Sequence, residues 1–204
     1  MKRLAGALFI ITLAFLIPAT MASAQIRGSF AFDGHSTCLL AYGGFNASFQ
    51  PMPVGAPGVS DTISGPWEGT LTFYAHGKGH LDATERTIDI GNPSSNAQHN
   101  VWDFHYTVNN GVITFTYVTG SYVGLVTEGP NAGQPRALNI LGPWHGRISP
   151  DGNHLTMFWG APLLLEPTLD QANAVPIFIL PPEVSSLPLQ VSCNAAFQGF
   201  RIGW

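Results

Sequence analysis

Hydrophobic and polar residues alternate along much of this chain, and the alternation is clearest from Val101 to Val108. One face of that stretch carries the large apolar side chains, those of Trp102, Phe104, Tyr106 and Val108. Asn109-Asn110-Gly111 follows with residues that tolerate a positive φ, and residues 112–118 return to β-branched and aromatic types. The pattern predicts two antiparallel strands joined by a tight turn.

Shorter stretches of the same kind recur from one end of the chain to the other, whereas helical periodicity is nearly absent. They predict strands at 28–33, 37–42, 70–74, 80–90, 121–127, 136–141, 144–149, 154–159 and 191–204. The first two flank Gly34 and are expected to pair. This rhythm predicts an all-β fold, most simply a single antiparallel β-barrel of about 8–10 strands.

Two proline-rich stretches interrupt the rhythm. Residues 50–66 are rich in proline and glycine, which predicts a long loop. Residues 160–189 combine apolar runs with several prolines, which exclude a long helix or a central strand. We expect the second stretch to pack over a barrel mouth or a sheet face, with a domain boundary as the alternative.

The first residues have the pattern of an export signal. Met1-Lys2-Arg3 is positive, residues 4–16 are almost all apolar, and Ala22-Ser23-Ala24 fits a signal-peptidase site. The apolar run is shorter than the roughly 20 residues of a membrane-spanning helix. The sequence therefore predicts a cleaved signal peptide at 1–24 and a single exported domain at 25–204, periplasmic or secreted.

Composition narrows the function classes. The chain has 8 basic and 12 acidic residues, a formal net charge of −4, and 23 glycines. Beyond the signal peptide Lys78 is the only lysine, so a nucleic-acid partner is not expected. A Gly-x-Ser-x-Gly elbow and a phosphate-binding glycine loop opening a helix are both absent, so we expect no cofactor and favour a protein that is not an enzyme.

The chain has 2 cysteines, Cys38 and Cys193, near opposite ends of the exported part. An even count in an oxidising compartment predicts a disulfide between them. Two buried free thiols are the alternative.

Histidines provide two candidate sites. Asp103 and His105 share the polar face of the clearest strand, and they could serve acid–base catalysis if that face lined a cavity. If the aromatic face points inward instead, both face solvent. His76 and His80 are four residues apart, but Gly77-Lys78-Gly79 predicts a turn between them, so solvated turn residues are preferred over metal ligands.

The C-terminus suggests a different class of protein. Phe200, Ile202 and Trp204 alternate with smaller or polar residues, as in the last strand of a small outer-membrane barrel. The long proline-rich apolar stretch argues against that class, which stays open as an alternative.

One five-residue phrase occurs twice, as Gly65-Pro66-Trp67-Glu68-Gly69 and Gly142-Pro143-Trp144-His145-Gly146. It resembles the Gly-x-Trp signature of lipocalins and other calycins. The resemblance implies an eight-stranded barrel with an apolar ligand cavity, in which Trp67 or Trp144 closes one end and Arg201 packs over it. The chain departs from that pattern because the phrase lies late and is duplicated, and the family's second motif is missing.

The leading hypothesis is an exported barrel that binds a small apolar molecule. The residues predicted to contact that molecule are Trp102, Phe104, Tyr106, Phe115 and Phe178. The alternatives are a barrel isomerase or cyclase that uses Asp103 and His105, and a small outer-membrane barrel. The sequence leaves the ligand and the oligomeric state undetermined.

Overall fold

The computed structural model describes residues 26–42, 44–48, 50–52, 60–89, 94–129, 132–136, 138–159, 163–167 and 189–203. These residues are almost entirely β, with one short 3-10 turn at Ala75–Gly77. The strands are β1 Gly28–Tyr42, β2 Ser60–Phe73, β3 Lys78–Asp89, β4 Ser94–Asn109, β5 Val112–Tyr117, β6 Val123–Glu128, β7 Pro135–Arg136, β8 Leu138–Leu141, β9 Trp144–Ile148, β10 His154–Phe158, β11 Leu163–Pro167 and β12 Leu189–Gly203. Within the described part of the chain, no helix is long and apolar enough to cross a membrane.

All twelve strands belong to one antiparallel sheet whose hydrogen bonding closes on itself. The path runs β1-β2-β3-β4-β5-β9-β10-β12, and β12 then pairs with β1. That last pairing extends from Ser29 opposite Gly203 to Tyr42 opposite Leu189. The first and last strands of the sheet therefore cover each other's edges.

The remaining four strands extend the same ring. β4 pairs with β5 through residues 104–109 and with β6 through residues 97–101. β12 likewise pairs with β10 through residues 196–200 and with β11 through residues 191–193. β7 pairs with β6, and β8 pairs with β11. The twelve strands therefore make up eight successive chain segments around the ring, namely β1, β2, β3, β4, β5 with β6, β7 to β9, β10 with β11, and β12.

Side-chain alternation places the apolar residues inside the ring. Trp102, Phe104, Tyr106 and Val108 are buried, as the pattern predicts, and the residues between them are half-buried or exposed. The predicted turn is confirmed, with Asn110 at φ 50° and Gly111 at φ 75°. The part of the interior around Phe104, which we term the aromatic half of the core, is packed with aromatic rings. Phe104 and Phe115 meet there edge to face with 5.2 Å between ring centroids.

The structure corrects the predicted pairing around Gly34. Residues 28–33 and 37–42 do not form a hairpin, because β1 runs straight through Gly34 as one strand. A Cβ on Gly34 would lie 2.3 Å from the ring of Phe197 on β12. This glycine therefore permits a close approach of the adjacent strand β12 and does not form a turn.

The two loop predictions are also partly wrong. β2 begins at Ser60, so residues 60–66 are strand and not loop. Pairing of β2 with β3 breaks between Ser64 and Trp67, where Pro66 has no N–H to donate. Leu163–Pro167 forms β11 inside the proline-rich stretch, and the strand ends at its proline. Most of 160–189 lies outside the described residues, as do the predicted signal peptide and Phe178.

The predicted disulfide is confirmed. Cys38 and Cys193 face each other across the β1–β12 pairing, both are buried, and the bond joins residues 155 positions apart. It therefore reinforces the strand pair that closes the ring.

Replacing both cysteines, Cys38→Ser with Cys193→Ser, is expected to lower the free energy of unfolding by roughly 3–5 kcal/mol, because the cross-link restricts the unfolded chain over a long loop. Urea unfolding measures this loss. Reducing the wild-type protein should give a similar loss and leave the double variant unchanged. A double variant as stable as the oxidised wild type would contradict the prediction.

Candidate functional site

The interior of the ring is not uniformly apolar. A group of buried polar and charged side chains, which we term the polar cluster, lies on the inner faces of β1, β3, β4 and β7 and consists of Ser36, Glu85, Gln98, Asn100 and Arg136. Buried polar groups are costly unless they find partners, so the cluster is the feature of the core that most needs explanation.

Strand register brings these residues together. Glu85 on β3 lies opposite Trp67 on β2 and Gln98 on β4. Asn100 lies opposite Gly124 on β6, and Gly124 lies opposite Arg136 on β7. A Cβ on Gly124 would come within 2.6 Å of the Tyr122 hydroxyl, so glycine makes room for that group.

Hydrogen bonds tie most of the cluster together. Gln98 donates from Nε2 to Glu85 Oε2, and the Trp67 indole nitrogen donates to Ser36 Oγ at 2.9 Å. The Tyr122 hydroxyl donates to Asn100 Oδ1 at 2.5 Å. Trp102 Nε1 is buried and has no acceptor at hydrogen-bond distance in the part of the chain that the structure describes, whereas the Asn100 amide faces the Glu85 carboxyl.

Burial controls the electrostatics of the cluster. It raises the pKa of Glu85 from 4.5 to about 7, and the polar side chains of Gln98, Trp67, Asn100 and Ser36 partly oppose that rise. Burial also raises the pKa of Tyr122 and lowers that of Arg136. The cluster therefore contains a carboxyl group whose pKa lies near neutral pH.

A small cavity adjoins the cluster. Its volume is about 20 Å³, room for about one water molecule. Its walls include the rings of Trp67, Trp102, Trp144, Trp159 and Phe197, together with Met157. Trp102 meets Trp67 and Trp144 edge to face, at centroid distances of 6.2 and 6.5 Å. Trp67 and Trp102 thus belong to the cavity wall and also border the polar cluster.

The predicted ligand contacts are only partly brought together. Trp102, Phe104, Tyr106 and Phe115 all face the interior, but among them only Trp102 lines the cavity. The other three pack with Phe73 in the aromatic half of the core.

The predicted acid–base pair is not in the interior. Asp103 and His105 are exposed on the outer face of β4, because the aromatic face of that strand points inward. Asp103 instead contacts His80 on β3, with 2.7 Å between Asp103 Oδ1 and His80 Nδ1. The structure therefore agrees with the interpretation in which Asp103 and His105 face solvent, and it rules out the cavity pair, which was the weaker alternative.

The other predicted residues are also located. His76 is exposed in the turn at φ 61°, and His80 pairs with Asp103 on β4. Among the described residues, no group of three or more His, Cys, Asp or Glu could hold a metal ion. Trp67 and Trp144 are buried, while the Arg201 guanidinium lies 4.9 Å from the ring centre of Phe30 and donates to the carbonyl oxygens of Gly152 and Arg27.

Comparisons with protein-family models, with curated proteins and with solved structures find no match to this chain.

The sequence reasoning missed the polar cluster, although a signal was present. Gln98 and Asn100 continue the inward phase of Trp102 and Phe104 along β4, and Glu85 continues that of Leu81 and Ala83 along β3. A polar residue in phase with a buried face is the pattern that marks such a cluster.

Glu85→Gln is expected to remove a pH dependence of stability. The pKa of Glu85 is about 7 in the folded protein and 4.5 in the unfolded chain, so between these pH values only the folded protein keeps the proton. Wild-type stability therefore falls as pH rises through that interval. The contribution is at most about 3 kcal/mol. Urea unfolding of both proteins at pH 5 and pH 8 measures it, and the advantage of the variant should grow with pH. Glu68→Gln, on the exposed face of β2, is the control. Parallel pH profiles for wild type and Glu85→Gln would contradict the assignment.

Proposed function

We propose that this protein is an exported antiparallel β-barrel of eight chain segments that binds a small, mostly apolar molecule at the tryptophan-walled cavity. The observation that carries the proposal is the cavity itself, where aromatic walls adjoin a buried polar cluster. Binding sites of this kind combine apolar walls with a few convergent polar groups.

The closed ring supports the barrel. Eight strands give an interior just wide enough to be filled by side chains or to hold one small ligand. The half around Phe104 is filled by aromatic side chains, and the half around Trp102 retains a cavity of about 20 Å³. We therefore assign ligand binding to the second half.

Ligand entry requires movement of the cavity wall. A volume of about 20 Å³ holds one water molecule, so a bound organic molecule must displace side chains. Two wall residues are suited to this. Trp159 is only half-buried, and Met157 has a flexible, unbranched side chain that adapts to irregular gaps. The ligand is accordingly small.

The calycin resemblance is consistent with this proposal. Both tryptophans of the repeated phrase, Trp67 and Trp144, line the cavity, one on each side of Trp102. In calycins such a tryptophan stands at one end of a ligand-binding barrel. We extend that role to this chain as part of the proposal.

The outer face favours a water-soluble binding protein over an outer-membrane barrel. A lipid-facing band would be apolar, with polar residues inside. Here the outward positions of β2, β3 and β4 carry exposed charged or ionisable residues, among them Glu68, Asp82, Asp103 and His105. We therefore propose export into an aqueous compartment, where the disulfide can form.

Met157→Ala tests the proposal by enlarging the cavity. Truncation of this buried side chain should cost about 2–5 kcal/mol of stability. It should also tighten binding of the apolar dye N-phenyl-1-naphthylamine by about tenfold or more, because the dye fills space that the side chain occupies. Fluorescence titration measures the affinity, and dye-dependent thermal stabilisation checks that binding is to the folded state.

Phe158→Ala is the matched control, because Phe158 is the next residue and faces outward, 37% exposed. It should leave dye affinity unchanged. Failure of the dye to bind either the wild type or Met157→Ala would overturn the proposed function.

A further inference from the structure

Glu85 is the only buried acidic residue in the described part of the chain, and it contacts the wall of the cavity. Directly opposite it on β2 lies Trp67, whose ring lines the cavity. The Trp67 indole nitrogen donates to Ser36 Oγ at 2.9 Å, and the same N–H faces the Glu85 carboxyl, where it favours the charged form. A titratable group is therefore in contact with the proposed ligand site.

A second set of contacts connects the same carboxyl with the cavity. The Asn100 amide faces Glu85, and Asn100 Oδ1 accepts from the Tyr122 hydroxyl at 2.5 Å. Tyr122 stacks on Trp102, with 6.0 Å between ring centroids and 29° between ring planes. Trp102 lines the cavity and meets Trp67 edge to face. Two tryptophans of the wall are therefore connected to Glu85, one directly and one through Asn100 and Tyr122.

We propose that Glu85 is a positioning residue that makes ligand binding at the tryptophan-walled cavity depend on pH, and that it acts through Trp67. While the carboxyl is neutral, Trp67 is free to move and the cavity admits the ligand. Once the carboxyl is ionised, it holds the indole N–H in place and binding weakens. This inference rests on the proposed function, because it describes the regulation of the same cavity.

Two physical effects give this dependence the same sign. A hydrogen bond to an ionised group is roughly twice as strong as one between neutral groups, so ionised Glu85 resists the wall movement that ligand entry requires. A buried charge is also costly, and an apolar ligand excludes water from the space beside Trp67. Both effects favour the neutral carboxyl in the ligand-bound protein. By linkage, affinity is highest at acid pH and falls as pH rises through about 7, the pKa of Glu85.

The other groups around Glu85 do not add a second titration. Its neighbours on β1, β2 and β4 are uncharged, namely Ser36, Trp67, Gln98 and Asn100. Arg136 interacts electrostatically with Tyr122 and keeps its positive charge throughout this pH range, so it shifts the midpoint of the Glu85 titration without changing its sign. Burial raises the pKa of Tyr122, which keeps that hydroxyl protonated. None of the seven histidines is buried.

The pH dependence of dye affinity tests the inference. N-phenyl-1-naphthylamine is uncharged between pH 5 and pH 8, and its dissociation constant for the wild type should be about fivefold higher at pH 8, as one charge-assisted hydrogen bond allows. Glu85→Gln keeps a neutral side chain of similar shape and should bind equally well at both pH values. Glu68→Gln, exposed on β2, is the control and should keep the fivefold change. Circular dichroism at each pH checks that the proteins are folded.

The two copies of the repeated phrase supply a matched pair of variants. Trp67→Phe removes the N–H that faces Glu85 and keeps an aromatic ring, so the ratio of the two dissociation constants should fall to about twofold. Trp144 lines the same cavity but stacks on Phe115. Trp144→Phe should therefore keep the fivefold ratio, whatever its effect on affinity itself.

Proton uptake provides a readout that needs no variant. Binding at pH 7 should draw a fraction of a proton from solution, because the ligand-bound protein favours neutral Glu85. Calorimetric titration with the dye in phosphate and in Tris, which differ in ionisation enthalpy, measures this uptake as a difference in binding enthalpy. Glu85→Gln should show no such difference. If that variant does not fold, the wild-type measurement carries the test.

The outcomes separate this inference from the proposed function. Absence of dye binding to the wild type and to Met157→Ala would overturn both, and if only Met157→Ala binds, the pH comparison is made in that background. Dye affinity that is independent of pH, or tighter at pH 8, would overturn this inference alone. So would a pH dependence that persists in Glu85→Gln, a full fivefold ratio in Trp67→Phe, or an equal loss of the ratio in Trp144→Phe.

Discussion

The pairing of the first strand with the last is the contact on which the rest of the structure depends. β1 and β12 are adjacent over almost their whole length, although the chain between them contributes all ten of the remaining strands of the sheet. Ordering so long an intervening chain has a high entropic cost. The disulfide between Cys38 and Cys193 offsets part of it by limiting the conformations of the unfolded chain. Closure also fixes which face is inside, because a strand paired on both edges cannot shift by one residue without exposing its apolar side chains.

Once the ring is closed, every second residue of a strand faces inward, whether its side chain is polar or aromatic. β4 shows both, with Phe104 and Tyr106 in the aromatic half of the core and Gln98 and Asn100 in the polar half. Folding then requires partners for each buried polar atom. Gln98 donates to Glu85, and Asn100 accepts from Tyr122 through its oxygen while its amide group faces Glu85. Trp67 and Trp102 therefore lie where the aromatic packing around the cavity meets the polar cluster.

The sequence predicts those parts of the fold that depend on local pattern. The alternation from Val101 to Val108 and the turn at Asn110-Gly111 are such parts, and so is the all-β class. Contacts between distant residues could not be read in the same way. Gly34 looked like a turn residue because glycine is common in turns, whereas here it makes room for Phe197 on a strand far along the chain. Glu85 is an ordinary charged residue until register places Trp67 and Gln98 beside it. The disulfide was predictable because only two cysteines and an expected compartment had to be considered.

The Gly-Pro-Trp part of the repeated phrase is identical in both copies, yet its two tryptophans have different contacts because they lie at different positions in the ring of strands. Both tryptophans are buried and both contact Trp102, so the two copies are equivalent as supports for one central ring. Their other contacts differ. Trp67 sits in the middle of β2 and donates to Ser36 at the edge of the polar cluster, whereas Trp144 begins β9 and stacks on Phe115 with 2° between ring planes. The phrase thus supplies a large inward side chain but no single backbone geometry, because Gly65 lies inside β2 whereas Gly142 precedes β9 at φ 94°. Because Trp67 and Trp144 both pack against Trp102, the two copies of the phrase together hold the central ring of the cavity wall.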